Sequence, residues 1–438
     1  MSEFSAPVPA FRRCRPCVLG AGEGTRSRGE VRSLMMAKRL IAALGLVCIL
    51  ALGLTTPATA VAVKPTSSDG TAHGSGVVRV ESAAETAIDA AATARVAQMS
   101  VHDKAASVVM GHIPSTDPAI LRAYMEDTGI GGFILMGANV PSSEQLLREL
   151  TESLTVDPAF APLLAIDQEG GDVSRLPWDD FPSALTLKYD SAEAAYDAFS
   201  GRGGLILRAG IGVNFGVVAD ETDDPDMFIY RRVLGTNAPS AASRVAAAVL
   251  GESPSTMSTL KHFPGHGAAP GDSHAGIPET NISLTQWRET DAVPFQAGID
   301  ADAPLLMFGH LRYTSIDSKP ATLSAKWHDI ARKELGFSGV AITDDLGMLE
   351  ASGIADYADP VSNAVEALVA GNDMVLTLLN SNENTAPRIV AGIVAATEDG
   401  TLSMERLEEA AQRVAVLRLE LSGDGRGLSP CEDCGPLE

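Results

Sequence analysis

The sequence predicts an α/β fold, a single-domain barrel of the (β/α)8 type, and three observations lead to this prediction. Short, continuously apolar runs alternate with helical segments, which is typical of βα units around a parallel sheet. The 438-residue chain is 45% hydrophobic and 20% charged, so it can bury a large core. Polar residues collect where the apolar runs end, and those ends share one face of a parallel barrel.

Seven apolar runs have the length and composition of buried strands. They cover residues 131–136, 162–167, 212–218, 256–261, 304–309, 339–344 and 373–378. Helical segments lie at residues 143–154, 191–209, 241–250, 284–297, 324–335, 360–370 and 387–399. Seven or eight such units favour a closed barrel. A doubly wound open sheet is the alternative, although no G-x-G-x-x-G motif follows the first run.

Two helices are predicted ahead of the first apolar run. One starts near Ser82 and extends over residues 84–99. Ser100 and Asp103 have the spacing of a capping box, in which each side chain accepts from the other residue's backbone N–H, so a second helix should begin there.

Both ends of the chain are predicted to lie outside the barrel domain, which we assign to residues 83–425. Residues 1–34 are interpreted as an upstream extension. Residues 35–60 combine a basic start, an uncharged apolar run of 15 residues and a final Ala-Thr-Ala, which is typical of a secretory signal peptide. Residues 61–82 predict a flexible linker. In the tail 426–438, Cys431 and Cys434 favour a local disulfide.

The charge balance restricts the partners. A net charge of −23 argues against nucleic acid and against an anionic membrane surface as partners. Together with the signal peptide, it predicts a secreted protein, extracellular or in the cell envelope, without membrane association after signal removal. We expect no cofactor and a monomer.

Charged side chains follow four of the apolar runs and should converge on one mouth of the barrel. They are Asp167-Gln168-Glu169, Lys261-His262, His310 and Asp344-Asp345. A carboxylate at the end of a buried strand is costly unless it is paired or used in chemistry. Asp344 is therefore a candidate for chemistry, with a helix cap as the alternative. Asp345 lies one residue further out and is better suited to capping.

The segment after the fourth run is rich in glycine, proline and histidine. It reads Lys261-His262-Phe263-Pro264-Gly265-His266-Gly267 and, five residues later, Asp272-Ser273-His274. Asp272 can bond the His274 imidazole, which leaves the second nitrogen free to exchange protons. A solvated loop with an incidental histidine is one alternative. Another is a zinc site that uses the histidines of this region, although no H-E-x-x-H motif occurs.

This segment and several other stretches resemble, in the same order, the glycoside hydrolase family 3 β-N-acetylhexosaminidases, the NagZ-like group. The other stretches are Ile166-Asp167-Gln168-Glu169-Gly170-Gly171, Val213-Asn214-Phe215, Pro320-Ala321-Thr322-Leu323-Ser324, Leu335-Gly336-Phe337-Ser338-Gly339-Val340 and Thr343-Asp344-Asp345-Leu346. The resemblance covers about residues 95–420. It implies a TIM-like barrel of the family's N-terminal type. It also implies an exo-acting, retaining β-N-acetylglucosaminidase that releases terminal GlcNAc from peptidoglycan fragments or chitooligosaccharides.

The resemblance also implies a role for each of eight residues. Asp344 would be the nucleophile that forms a covalent glycosyl-enzyme, and His274, oriented by Asp272, would be the acid/base. The sugar would be bound by Asp167, Arg175, Arg232, Lys261 and His262. The alternatives are a GlcNAc or glucoside phosphorylase, a β-glucosidase of the same family, and a non-catalytic barrel that binds sugar.

Overall fold

The computed structural model describes residues 83–422, so the predicted signal peptide, linker and cysteine tail lie outside the described residues. The strands, in chain order, are β1 (Val109–Gly111), β2 (Gly132–Leu135), β3 (Leu163–Ile166), β4 (Val213–Val218), β5 (Met257–Phe263), β6 (Glu279–Thr280), β7 (Leu305–Phe308), β8 (Arg312–Tyr313), β9 (Val340–Asp345) and β10 (Met374–Leu376). Eight of them form a closed parallel barrel in the order β1-β10-β9-β7-β5-β4-β3-β2, and β6 pairs with β8 in a separate two-stranded sheet. The barrel confirms the predicted fold class and excludes the open sheet.

The helices surround the barrel. They are α1 (Ala83–Val96), α2 (Val101–Ser107), α3 (Pro118–Thr128), α4 (Glu144–Leu154), α5 (Ala184–Leu187), α6 (Ala192–Arg208), α7 (Ala238–Glu252), α8 (Leu284–Glu289), α9 (Ala292–Asp300), α10 (Ala325–Asp329), α11 (Leu346–Ala351), α12 (Pro360–Ala370), α13 (Thr385–Asp399) and α14 (Met404–Ser422). A π-helical turn, Ile330–Glu334, continues α10. Among the described residues, no helix is long and apolar enough to cross a membrane.

Several helices begin where the sequence predicts, because a polar side chain caps the first backbone N–H groups of each. Ser100 and Asp103 form both bonds of the predicted capping box. Ser143 and Ser191 accept from the third backbone N–H beyond them, at the starts of α4 and α6. The prediction of a single helix over residues 284–297 is wrong in one respect. The helix is interrupted at Thr290, so that two helices, α8 and α9, form instead.

The interior of the barrel is an apolar layer to which each of the eight strands contributes. Its buried members are Met110, Ile134, Leu163, Ala165, Val213, Phe215, Met257, Leu305, Met307, Val340, Ile342, Met374 and Leu376. Val414 and Leu417 of α14 pack in the same cluster. Because side chains alternate along a strand, the remaining strand residues face the helices and join the two larger clusters outside the barrel.

A buried carboxylate connects the start of β10 to two helical elements. Asp373 accepts from Arg332 at 2.5 Å, from Arg406 at 2.6 Å and from Arg413 at 2.9 Å, and its side chain has no exposed surface. Three cations around one buried anion offset its desolvation. This cluster lies at the N-terminal end of β10. It is therefore at the end of the barrel opposite to the C-terminal strand ends, where the polar residues of the mouth were predicted.

Candidate active site

A cavity of about 500 Å³ opens at the C-terminal ends of the barrel strands. Ligand pockets typically have ~300–1,000 Å³, so this cavity can hold a small molecule. Seven of the eight predicted site residues line it: Asp167, Arg175, Arg232, Lys261, His262, His274 and Asp344. The eighth, Asp272, contacts His274 from the same loop. The structure therefore brings together residues that are up to 177 positions apart, from Asp167 to Asp344.

Five charged side chains form a network at one side of the cavity, and we call them the clamp: Asp167, Arg175, Arg232 and Lys261, which line the cavity, and Glu169 behind them. The Lys261 Nζ donates to Asp167 Oδ1 at 3.0 Å and to Glu169 Oε1 at 2.7 Å. Arg232 donates two parallel hydrogen bonds to Glu169, at 2.9 and 2.7 Å. Arg175 lies 3.4 Å from Asp167. Opposite charges alternate through the clamp, which holds each side chain in place.

The charges of the clamp persist despite burial. Burial by itself raises the pKa of Glu169, but Arg232 and Lys261 bring the pKa down to about 2. Burial lowers the pKa of Lys261, whereas Asp167 and Glu169 raise it above its usual value. Both groups are thus ionised near neutral pH. Their charges are available for hydrogen bonds to the hydroxyl groups of a ligand.

His262 is held between the clamp and a buried carboxylate. Its Nδ1 lies 2.7 Å from Asp220 Oδ2, and its Nε2 lies 3.2 Å from the Arg232 guanidinium. Since arginine can only donate, Nε2 accepts and Nδ1 carries the proton that Asp220 accepts. Asp220 also accepts from the backbone N–H of His266 at 2.6 Å, so it anchors two histidines of the segment, His262 and His266.

Asp344 is the second-last residue of β9 and reaches the cavity as a partly exposed carboxylate. Burial raises the pKa of Asp344, but His262, His310 and Lys261 together bring the pKa below its usual value. Its Oδ1 accepts from the backbone N–H of Asp345 at 2.8 Å. Asp344 is therefore an ionised carboxylate at the mouth of the barrel.

Asp345 has the capping role that the sequence predicted for it. It accepts from the N–H of Gly347 at 2.9 Å, at the start of α11. It also accepts from the N–H groups of Leu378 and Leu379, each at 2.8 Å. Burial raises the pKa of Asp345 to about 6 although these three hydrogen bonds oppose the shift. The two adjacent aspartates thus differ in their partners and in the direction of their pKa shifts.

His274 lies at the rim of the cavity, with 60% of its side chain exposed. Its Nδ1 is 2.8 Å from Asp272 Oδ1, and the same oxygen accepts the backbone N–H of His274 at 2.9 Å. These bonds lower the pKa of Asp272 against the opposing effect of burial. The ring of Phe228 packs edge-on against His274 at 5.7 Å between centroids. The dyad predicted from Asp272-Ser273-His274 therefore forms in the structure.

The sequence analysis missed several contributors to the site. Asp220 lies two residues after the end of β4, so the rule that polar residues follow strands could have identified it. His310 had been named only as a residue of the mouth; it bonds Thr322 and the carbonyl of Asp345, each at 2.8 Å. No sequence pattern indicated the apolar wall of the cavity, because its side chains come from strands, a helix and loops that are far apart in sequence. Its members include Met136, Met307, Met348, Leu376 and Leu378.

The described part of the chain contains no cluster of ligands that would support the zinc alternative. Within residues 83–422, no group of three or more His, Cys, Asp or Glu side chains is arranged to hold a metal ion. His262 and His310 direct both ring nitrogens to protein groups instead.

Comparison with known proteins places the chain in a family. Residues 93–417 match the glycosyl hydrolase family 3 N-terminal domain. A protein of Arthroderma benhamiae described as an uncharacterized secreted glycosyl hydrolase is 32% identical over 320 residues, which cover 70% of this chain and 90% of that protein. A beta-hexosaminidase of Chromobacterium violaceum is 36% identical over 290 residues, which cover 60% of this chain and 76% of the relative.

Solved structures agree with this placement. The family 3 beta-N-acetylglucosaminidase of a Paenibacillus species superimposes with a TM-score of 0.69 at 27% identity, covering 74% of this chain and 64% of that one. The beta-N-acetylhexosaminidase of Beutenbergia cavernae gives a TM-score of 0.64 at 25% identity, covering 74% of this chain and 99% of that one. The parallel barrel, the cavity at its C-terminal mouth and the matched domain agree, and the chain belongs to glycosyl hydrolase family 3.

Proposed function

We propose that the protein is a secreted, exo-acting, retaining β-N-acetylglucosaminidase that releases terminal GlcNAc from peptidoglycan fragments or chitooligosaccharides. The observation that carries the proposal is the ionised Asp344 in the same cavity as the Asp272–His274 dyad and the clamp. A nucleophile, a proton carrier and a polar sugar-binding wall are the parts that retaining glycoside hydrolysis needs. The relatives named beta-hexosaminidase support GlcNAc as the sugar.

In the first step, a carboxylate oxygen of Asp344 attacks the anomeric carbon as the bond from that carbon to the leaving oxygen breaks. The His274 nitrogen that is not bonded to Asp272 gives its proton to the leaving oxygen. A histidine here replaces the second carboxylate of most retaining enzymes. It suits the task because an imidazole can give and accept a proton near neutral pH.

In the second step, water attacks the anomeric carbon and the bond to Asp344 breaks. His274 takes one proton from that water, which restores both catalytic groups. The sugar hemiacetal leaves with the β configuration that the substrate had, since each step inverts the anomeric carbon once.

The clamp supports this chemistry by holding the sugar. Asp167, Lys261 and Arg175 present both acceptors and donors at the cavity wall, so they can bond adjacent hydroxyl groups. Glu169 is only 3% exposed and acts from behind, by fixing Lys261 and Arg232. Charged groups that are already in position lose little freedom on binding.

Secretion is part of the proposal. It is supported by the signal-peptide pattern of residues 35–60 and by the Arthroderma benhamiae relative, which is described as secreted. A measurement of the N-terminal sequence of protein recovered from culture medium would test it. Protein retained in the cytoplasm with residues 35–60 intact would contradict it.

The activity is tested with the 4-nitrophenyl β-glycosides of GlcNAc and of glucose, with chitobiose and with a GlcNAc–MurNAc fragment. We expect turnover of the GlcNAc glycosides, with the β-anomer as the first product in an NMR time course. Preferred turnover of the glucoside would favour a β-glucosidase. Accumulation of a sugar 1-phosphate when phosphate is added would favour a phosphorylase, and binding without turnover would favour a non-catalytic barrel.

A further inference from the structure

A buried polar network lies behind the clamp and reaches the end of α7. Gln168 stands between the clamp residues Asp167 and Glu169, and its side chain has no exposed surface. Its Oε1 accepts from the backbone N–H groups of Arg175 at 2.8 Å and Leu176 at 2.9 Å. One residue thus connects the two segments that carry three of the five clamp side chains.

The peptide of Gln168 is held by the side-chain amide of Asn214 on β4. Asn214 Oδ1 accepts from the Gln168 N–H at 3.0 Å, and Asn214 Nδ2 donates to the Gln168 carbonyl at 3.0 Å. The second hydrogen of Nδ2 goes to Glu252 Oε1, at 2.5 Å. Glu252 therefore fixes which way the Asn214 amide points, because a rotated amide would present its oxygen to that carboxyl oxygen.

Glu252 has an unusual environment for a carboxyl group. It is the last residue of α7, it is completely buried, and its Oε2 has no hydrogen-bond partner in the structure. Burial raises the pKa of Glu252 to about 7, although Asn214, Ser258 and Arg202 lower it. An ionised carboxylate with an unpartnered oxygen would be costly here, so the proton belongs on Oε2.

The positive charge that lowers the pKa of Glu252 is that of Arg202 on α6. Its Nε donates to Asp179 Oδ2 at 2.7 Å, while its Nη1 is buried without a partner. Asp179 Oδ2 also accepts from Gln168 Nε2, at 2.6 Å. Within the described part of the chain, the groups that act on Glu252 come from β4 (Asn214), β5 (Ser258) and α6 (Arg202), and among these only Arg202 is charged. No group of α9, which also packs against α7, contributes to the pKa of Glu252.

We propose that Glu252 is a positioning residue for the sugar clamp: its Oε1 holds the Asn214 amide, which holds the Gln168 peptide between Asp167 and Glu169. Once Glu252 ionises, Oε2 attracts the free Nη1 of Arg202. Arg202 then shifts towards Glu252 and disturbs Asp179, which also accepts a hydrogen bond from Gln168. Gln168 loses its fixed position, and the clamp loosens. The inference rests on the proposed function only for its kinetic readout, since the network itself is a feature of the fold.

The test compares wild type, Glu252→Gln, Glu252→Leu and the control Ser253→Ala, whose exposed side chain ends the same helix. KM and kcat for a GlcNAc β-glycoside are measured from pH 5.5 to 8. Glu252→Gln imitates the neutral form, so its KM should match wild type at pH 5.5 and fall to about one third of the wild-type value at pH 8. Glu252→Leu should raise KM at least about 5-fold at every pH, with kcat changed less. Ser253→Ala should follow wild type throughout.

A KM ratio between Glu252→Gln and wild type that stays constant with pH would overturn the proposal. A folded Glu252→Leu protein with wild-type KM would overturn it as well. If Glu252→Leu does not fold, the pH dependence of Glu252→Gln decides alone. If wild type turns over no substrate, the proposed function fails separately, and the same comparison is made with GlcNAc affinity by calorimetry.

Discussion

At the scale of single residues, neighbouring side chains with the same chemistry acquire different tasks from their surroundings. Asp344 and Asp345 are adjacent, yet one faces Lys261 and two histidines and the other is enclosed by three backbone N–H groups. Charge at the first site is stabilised by positive neighbours, whereas at the second burial outweighs the hydrogen bonds. The residue with the lowered pKa, Asp344, is the one proposed as the nucleophile.

Replacing Asp344 by Asn should lower kcat/KM at least about 1,000-fold, because the amide keeps the shape and the hydrogen bond from Asp345 but cannot attack the sugar. Steady-state kinetics with a GlcNAc β-glycoside measure this. Asp345→Asn is the matched control, and it should lower the Tm more than the activity. Turnover by Asp344→Asn near the wild-type rate would contradict the nucleophile role.

Replacing His274 by Ala should slow turnover by about 100-fold or more when the leaving group is a sugar, since general acid catalysis contributes ~10²–10⁴. A dinitrophenolate leaves without a proton, so the loss with that substrate should be much smaller. His102→Ala, at an exposed histidine of α2, serves as the control. Equal losses with both leaving groups would refute the acid role.

At the scale of elements, the loop between β5 and β6 is fixed at its base and open at its tip. Trp287 Nε1 donates to the carbonyl of Pro264 at 2.8 Å, and the Tyr313 hydroxyl donates to the carbonyl of Gly265 at 2.6 Å. His274, near the tip, is mostly exposed. In the proposed function, a fixed base and an exposed tip would let the dyad approach a bound sugar while β5 holds Lys261 in place.

Gly267→Ala tests the base of this loop. A methyl group at Gly267 would lie 1.7 Å from the carbonyl oxygen of Glu221, so the backbone would have to move, at a cost of ~1–3 kcal/mol. We expect kcat/KM to fall at least about 10-fold. Gly276→Ala in the same loop meets no atom within 4 Å and should behave as wild type. Similar kinetics for the two variants would show that the base does not position the dyad.

At the scale of the whole molecule, folding forces some carboxyl groups into apolar surroundings. Burial raises the pKa of Asp291 to about 7, with the charge of Glu221 adding to the shift and a hydrogen bond from Thr290 opposing it. Its pKa in the unfolded chain is the ordinary one, near 4. The folded state therefore binds more protons between about pH 4 and 7, and Asp291 destabilises the fold as pH rises through this window.

Asp291→Asn should remove this pH dependence. The stability of the variant relative to wild type should be more favourable at pH 8 than at pH 5, by on the order of 2 kcal/mol. Urea denaturation at both pH values measures the difference. Asp300→Asn, at an exposed carboxylate that ends α9, should show no such change. An equal effect of Asp291→Asn at both pH values would contradict the buried, protonated state.

Most of the barrel could be predicted from the sequence because its strands are short apolar runs with polar residues at one end. The seven predicted runs correspond to β2, β3, β4, β5, β7, β9 and β10. The missing strand, β1, has only three residues and begins two residues after α2 ends, so no separate apolar run marks it. α3 and α14 were also missed; α14 mixes charged residues closely with its buried leucine and alanine residues.

The sequence by itself determined the barrel, the mouth at which Asp344 and Lys261 meet, and the local dyad of Asp272 and His274. These depend on periodicity, on strand ends and on residues two positions apart, which are local properties of the chain. Only the tertiary structure decided the partners: Glu169 with Arg232, Asp220 with His262, and Glu252 with Asn214. Those pairs join residues 38 to 63 positions apart in a dry interior, where burial and the nearest charge together set each group's ionisation.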